Sequence, residues 1–285
     1  MQMKNNLVIL IISHGRPDNV RTVKTLKEAG NTYPVYIVID NHDKKSEAYY
    51  RLYGDSVKIF DKDYYASKVD HYDNFGNLRT TTHARNACFD IAEELGYEYF
   101  LVLDDDYTSF SMRLDHRLEH PESCRNIRKN LGKIIGYTLD YYANSNFTSI
   151  CFSQGGDWFG GESQFGKTPK RKAMNSFFCS TDRRFWFFSR LNEDVNTYMG
   201  LGKTGSVFLT IPFIQLNQYQ TQSNAGGMTD AYLEGGTYVK SFYTLLNRPD
   251  CTKINTMGIS NVRLHHSIKW KNAVPYIIDE KYKKK

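Results

Sequence analysis

Runs of apolar residues divide the first third of the chain into regular pieces. Leu7–Ile12 and Val35–Ile39 are unbroken apolar stretches of strand length, Val57–Phe60 is a shorter one interrupted by Lys58, and Phe100–Leu103 follows. Such runs fit strands buried on both faces. Between the first two, Val20, Val23 and Leu26 share one helical face, with Asp18 or Asn19 as cap and Gly30 as stop. A second helix is predicted over residues 83–96, where Ala84, Ala87, Cys88, Ile91 and Leu95 form a stripe ended by Gly96. Strand–helix alternation of this kind predicts an α/β fold: a central, mostly parallel, twisted sheet flanked by helices and joined by right-handed crossovers.

The second half is less periodic. Residues 61–82 are polar and read as an exposed excursion. Pro121 can open a helix that turns Cys124, Ile127, Leu131, Ile134, Ile135, Leu139 and Tyr142 inward. Phe147–Ser153 reads as a strand, as do two basic-aromatic stretches, Arg171–Phe178 and Arg183–Phe188, and a late Val262–Ile268. Gly155–Gly161 surrounds Trp158 with paired glycines, and Thr221–Asp230 is a polar glycine loop able to hinge. No repeat or low-complexity linker interrupts the chain, so residues 1–110 and 111–285 are expected to be two halves of one domain.

Composition adds exclusions. The 285 residues are 40% hydrophobic and 24% charged, which is globular. A net charge of +6 is compatible with a polyanionic partner without requiring one, since part of it is the Lys281–Lys285 tail. The five cysteines are scattered and lack CxxC spacing, so reduced core thiols in a cytoplasmic protein are expected, not a disulfide frame or zinc site. Leu7–Ile12 is too short for a signal-peptide core or a membrane span, and no membrane association is expected. Neither a Gly-x-Gly-x-x-Gly nor a Walker sequence follows the first strand, which excludes an ordinary dinucleotide fold and a P-loop.

The candidate chemistry is acidic. Asp104-Asp105-Asp106 arrives where a buried strand emerges at the carboxyl edge of its sheet, the edge at which open α/β sheets bind ligands. Alternation lets Asp104 and Asp106 face one ligand while Asp105 faces away. Carboxylates about 6–7 Å apart along a strand repel unless a cation lies between them, and hard oxygen donors suit Mg²⁺ or Mn²⁺ with substrate phosphates. A solvated acidic turn is the plain alternative. Arg85 and Asn86 open a helix whose dipole favours an anion, a diphosphate or the Asp104–Asp106 carboxylates. The loops around Arg16 and Asp40 would lie side by side and could hold a base and a ribose. Asn192-Glu193-Asp194 suits a helix start on dipole grounds alone.

Together Ala84-Arg85-Asn86, Ala92, Gly96-Tyr97 and Leu103-Asp104-Asp105-Asp106 resemble a run found in family-2-like glycosyltransferases of the GT-A, nucleotide-diphospho-sugar transferase fold. The resemblance implies that residues 1–110 bind a nucleotide sugar and 111–285 bind the acceptor and catalyse. It implies uracil and ribose contacts at Ser13, His14, Gly15, Arg16 and Asp40. Arg85, Asn86, Asp104 and Asp105 would support the donor, and Asp104 and Asp106 would hold Mn²⁺ or Mg²⁺, completed by His265 or His266. Asp194 would be the base of an inverting transfer, with Glu193 positioning it or replacing it. Adding Gly15–Val20, Met174–Phe177, Asn192–Tyr198, Gly226–Asp230 and Arg263–His266, residues from about Ile11 to Trp270 resemble the TET-associated glycosyltransferases of bacteriophages. That implies a UDP-sugar donor and DNA containing 5-hydroxymethylcytosine as acceptor, with Arg171, Lys172, Arg183 and Arg184 lining the approach. The rivals are a GT-A enzyme acting on polysaccharide or protein, and a non-catalytic DNA-binding protein of the same fold.

Overall fold

The computed structural model describes residues 6–114, 125–154, 172–218, 238–258 and 262–273, with positions 228, 236 and 280. In chain order the elements are β1 (Leu7–Ile12), α1 (Arg21–Glu28), β2 (Val35–Asp40), α2 (Ser46–Tyr53), β3 (Val57–Phe60) and α3 (Lys62–Ala66). Then come α4 (Thr82–Glu94), β4 (Tyr99–Asp104), β5 (Tyr107–Met112), β6 (Arg125–Asn126), α5 (Leu131–Ala143) and β7 (Ser149–Ser153). The remainder is β8 (Ser176–Ser180), α6 (Glu193–Lys203), β9 (Phe208–Gln218), α7 (Val239–Asn247), β10 (Thr252–Met257), β11 (Arg263–Ile268) and α8 (Trp270–Ala273).

Nine strands form one sheet in the order β3-β2-β1-β4-β8-β7-β9-β5-β6, and β10 and β11 form a separate antiparallel ribbon. The expected parallel character lies in β3-β2-β1-β4, where every pairing is parallel. The sheet changes direction at β8, which runs antiparallel to both β4 and β7. Strands on either side of residue 110 thus share one sheet, and β5 itself spans that position.

Alternation along β1 separates two cores. Leu7, Ile9 and Ile11 meet Leu26, Tyr49, Ile135 and Leu139 on one face. Val8, Leu10 and Ile12 meet Ala87, Phe89, Ala92, Val195 and Met199 on the other. Every β1 residue is buried because helices cover both faces, which is why the strand reads as a continuous apolar run. Cys88, Cys151, Cys179 and Cys251 are buried free thiols, as expected.

Several second-half expectations change. The helix begins at Leu131, not Pro121. Arg125–Asn126 pairs with β5, and Ile127 N–H donates to Phe110 O at 2.7 Å, so that stretch is claimed by the sheet edge. The start of α5 is fixed by the turn after α1, with Leu131 N–H on Ala29 O and Gly132 N–H on Gly30 O. Pro121 and Cys124 lie outside the described residues, as do Gly155–Gly161, Arg171 and nearly all of Thr221–Asp230.

Residues 61–82 are not a free excursion. After α3 the chain docks: Ser189 N–H reaches Asp70 O at 2.7 Å and Arg190 N–H reaches His71 O at 3.0 Å. Within the Arg183–Phe188 stretch there is a 3₁₀ turn, Thr181–Arg183, then extended chain outside the sheet. Arg183 closes the end of α5, donating to Ser145 O, Phe147 O and Tyr142 O over the Tyr142 ring. Arg184 pairs with Asp90 and Glu93. Both follow Ser180, which pairs with Tyr99 at the opposite end of β4 from Asp104. They therefore brace the fold and do not line an approach to the acidic edge.

Gly30 has φ +79°, and a Cβ there would stand 2.5 Å from Lys129 O, a backbone atom that cannot step aside. Gly30→Ala should destabilise the fold by about 2–4 kcal/mol, combining left-handed strain with a steric clash. Urea unfolding measures it, and a loss under about 1 kcal/mol would contradict the close approach of α5 to this turn.

Candidate active site at the carboxyl ends of β1, β2 and β4

β1 and β4 lie side by side with Ile12 opposite Asp104, so the loop after β1 meets the acidic turn after β4. Strand alternation ends at Asp104, because Asp105 and Asp106 already form a turn. Thr22 of α1 holds that turn: its hydroxyl donates to Asp104 O at 2.6 Å and accepts from Tyr107 N–H at 3.0 Å, while its N–H donates to Asp105 O. Asp105 turns to the loop after β1, away from Asp104's partner, and is 1% exposed and not solvated. Its Oδ2 accepts from Ser13 Oγ at 2.5 Å and from Arg16 Nε at 2.7 Å, while Oδ1 is buried without a partner. Tyr49 closes the cluster, donating to Ser13 Oγ and accepting from Arg16 N–H.

The carboxyl end of β2 is tied to the same loop. Asp40 Oδ2 accepts from His14 Nδ1 at 2.6 Å, and its Oδ1 from Lys62 Nζ at 3.3 Å and His42 N–H at 3.1 Å. Burial works against ionisation of Asp40, but His14 and Lys62 outweigh it and hold the carboxyl down at about 2. Gly15 N–H donates to Asp43 Oδ2 at 2.6 Å. Ser13, His14, Gly15, Arg16 and Asp40 are thus brought together as expected.

On the other face Arg85, from the first turns of α4, is 1% exposed. Its Nη2 donates to Asp104 Oδ1 at 3.0 Å and its Nε to Glu193 Oε1 at 3.1 Å, with the guanidinium over the rings of Phe177 and Phe187. Thr81 Oγ also donates to Glu193 Oε1, at 2.6 Å. Asn86 binds both backbone groups of Phe187, so its amide positions the 184–188 segment rather than facing the acidic turn. Burial, with Asp106, Glu193 and Asp105 near, pushes Asp104 up to about 7 although Arg85 opposes this. Asp106 is raised by burial and by Asp105.

Asp194 is 6% exposed beside Glu193, and its Oδ1 accepts from Val195 N–H at 2.7 Å. Burial, reinforced by Glu193, pushes it up to about 6, with Arg85 and Lys240 opposing. Asn192 precedes α6 in a left-handed conformation, φ 60°, and makes no side-chain cap. Instead its Nδ2 donates to Thr244 Oγ at 2.9 Å and lies 3.3 Å from His266 Nδ1. Burial, His265 and Lys240 push His266 down to about 3, so it is a neutral imidazole.

His266 therefore joins the start of α6. Among the described residues no three His, Cys, Asp or Glu side chains converge as a metal set, so Asp104, Asp106 and His265 or His266 are not gathered at bonding distance. The acidic turn still fits a hard divalent cation. Its carboxylates are crowded and raised, and Asp105 keeps an unpartnered buried oxygen.

Sequence reasoning missed Thr22, Tyr49, Asp43, Lys62 and Thr81, whose types are ordinary and whose spacing carries no signal. It also missed the Arg190 network: Arg190 donates to Asp73 and Tyr243, and Tyr243 also donates to Asp73, fastening the 67–81 loop to α7.

Solved structures similar to the chain are glycosyltransferases. Staphylococcus aureus TarS 1–349 in complex with UDP-GlcNAc is 12% identical, with a TM-score of 0.46 over 86% of this chain and 67% of that one. Glucosyl-3-phosphoglycerate synthase from Mycobacterium tuberculosis, in complex with Mg²⁺ and UDP, is 8% identical, with a TM-score of 0.46 over 93% and 88%. The mannosyltransferase PcManGT from Pyrobaculum calidifontis, with GDP-Man and Mn²⁺, is 10% identical, with a TM-score of 0.46 over 84% and 64%. The chain spans about two thirds or less of the TarS chains it matches. No curated protein matches it. The family is nevertheless defined: the sequence model of the TET-associated glycosyltransferases matches residues 7–227, and the chain belongs to that family. No helix among the described residues is long and apolar enough to cross a membrane.

Arg85→Ala would strand Asp104 and Glu193 without their shared cation, and should cost about 3–5 kcal/mol in urea unfolding. A loss below about 1 kcal/mol would show that the pair needs no cation.

Asp40 carries a pH signature. Its folded pKa lies below the unfolded one, so its stabilisation is complete above about pH 4 and is lost as pH falls through about 2. That is about 2 kcal/mol. Acid titration of stability should show this loss in the wild type and not in Asp40→Asn.

Proposed function

We propose that this chain transfers a sugar from a UDP-sugar to the hydroxymethyl group of 5-hydroxymethylcytosine in DNA, with inversion at the anomeric carbon. The observation that carries this reading is the continuous link from the acidic turn to the start of α6: Asp104 to Arg85 to Glu193, with Asp194 next along the chain. It joins a donor end and an acceptor end through one buried cation. Membership of the family supports the DNA acceptor.

The roles follow from surroundings. The Ser13–Arg16 loop, Asp40 and Tyr49 form a rigid polar wall for the nucleoside. Asp104 and Asp106, raised and crowded, are the residues that would hold Mn²⁺ or Mg²⁺, whose charge when bound offsets that developing on the departing diphosphate. Glu193 receives both Arg85 and Thr81, so it is a positioning carboxylate. Asp194 is the base: burial lifts it toward the working pH, where a carboxylate accepts a proton best. It takes the hydroxymethyl proton as that oxygen bonds to the anomeric carbon, and the bond to the diphosphate oxygen breaks.

Mass spectrometry of nucleosides from hydroxymethylated DNA, incubated with a panel of UDP-sugars and Mn²⁺, tests the reading. A glycosylated hydroxymethylcytosine is expected, and donor hydrolysis with no DNA product from any sugar would sink it. Asp194→Asn should lower kcat about 10²–10⁴-fold with donor affinity nearly unchanged. In the wild type, kcat should fall as pH drops through about 6, where Asp194 takes up a proton.

A further inference from the structure

We propose that the β10–β11 ribbon docks the acceptor duplex by lying in its major groove. This rests on the DNA reading above and specifies which element grips the DNA.

The ribbon stands apart from the nine-stranded sheet, yet it is fixed to the elements around Asp194. At its base Lys269 N–H donates to Cys251 O at 2.7 Å, and Thr252 N–H donates to Arg248 O at 3.0 Å, just after α7. The Arg248 guanidinium links Asn272 O, at 3.0 Å, to Met199 O of α6, at 2.9 Å. Midway along β11, His266 N–H donates to Ser241 Oγ of α7 at 3.1 Å. The His266 ring lies 3.3 Å from Asn192 Nδ2, two residues before Asp194. A two-stranded ribbon is marginal by itself, and these anchors hold it beside the start of α6.

Strand pairing separates its two faces. Thr252 lies opposite Ile268 and Ile254 opposite His266, and this side, buried or half-buried, is the one that meets α7. Lys253 opposite Ser267, Asn255, and Met257 opposite Arg263 belong to the other side, and all five are exposed. Lys269, the next position on that side, is exposed too. His265 departs from the alternation: its ring folds back to 4.3 Å from that of His266 and is half-buried. Residues 251–278 carry Lys253, Arg263, Lys269 and Lys271 and contain no Asp or Glu. The outward face is therefore cationic with no carboxylate interspersed.

That face matches duplex DNA in size and in chemistry. Six residues per strand give a length of about 20 Å, and two strands about 4.8 Å apart fit a major groove about 12 Å wide. Lys253, Arg263 and Lys269 would meet the phosphates that wall the groove, which position the duplex. Asn255 and Ser267 between them offer an amide and a hydroxyl to base edges. At the free end Met257, Val262 and Leu264 are exposed, an apolar tip suited to the C5 substituents of pyrimidines. The acceptor's hydroxymethyl group stands in that same groove. A ribbon seated there holds the duplex by the groove that displays the reacting oxygen, next to the start of α6.

Binding to plain and hydroxymethylated duplexes is measured by fluorescence anisotropy over a salt series. Wild type is compared with the combined Lys253→Gln, Arg263→Gln and Lys269→Gln variant and with each single change. The combined variant should bind about 10²-fold more weakly near physiological salt, with a log–log salt slope smaller by about two to three. Each single change should lower the slope by about one, which keeps the test open if the combined variant does not fold. KM for DNA should rise and KM for the UDP-sugar should stay. Methyl green, which occupies the major groove, should displace the wild type from DNA, and netropsin, which occupies the minor groove, should not. Unchanged slopes, a raised KM for the donor instead of the DNA, or displacement by netropsin would each overturn the ribbon's role while leaving transfer to DNA intact. Absence of transfer to every duplex by the wild type would remove the DNA reading itself, and the ribbon's role with it.

Discussion

The site depends on one buried cation. Arg85 is all but excluded from water and is held by Asp104, at the carboxyl end of β4, and Glu193, at the start of α6. An unpaired guanidinium at that depth would cost several kcal/mol. Each of the three is tolerated only because the others are present. The aromatic rings of Phe177 and Phe187 complete the seat, and Asn86 holds Phe187 by both of its backbone groups. Removing charge at one point therefore propagates across the site.

The same constraint separates two kinds of carboxylate. Asp40, Asp43 and Asp105 receive directed donors from the loop after β1, and this fixes a rigid wall at the carboxyl ends of β1 and β2. Burial drives up the proton affinity of Asp104, Asp106 and Asp194, and of Asp105 as well despite its donors.

The surroundings of α6 are held by contacts between distant segments. Asp73, Arg190 and Tyr243 join the 67–81 loop, the chain before α6 and α7. Ser189 and Arg190 add backbone bonds to Asp70 and His71. A polar stretch that looks solvent-exposed in sequence is thereby ordered against the elements that carry Asp194.

Local patterning by itself determined the strands β1 to β4 and the helix α4. β1 and β4 are almost wholly buried, so hydrophobicity alone marks them. It also marked Asp104–Asp106, because charge directly after an apolar strand is a local signal, whereas Asp194 stood out only through the family resemblance. Tertiary structure alone decided that β8 enters between β4 and β7, that α5 starts at Leu131, and that Arg183 and Arg184 brace the far end of the sheet. It also decided that His266 meets Asn192. Each of these is a pairing between segments tens of residues apart, settled by which backbone groups and side chains are left to be satisfied once the parallel half has formed, and a sequence pattern records no such partner.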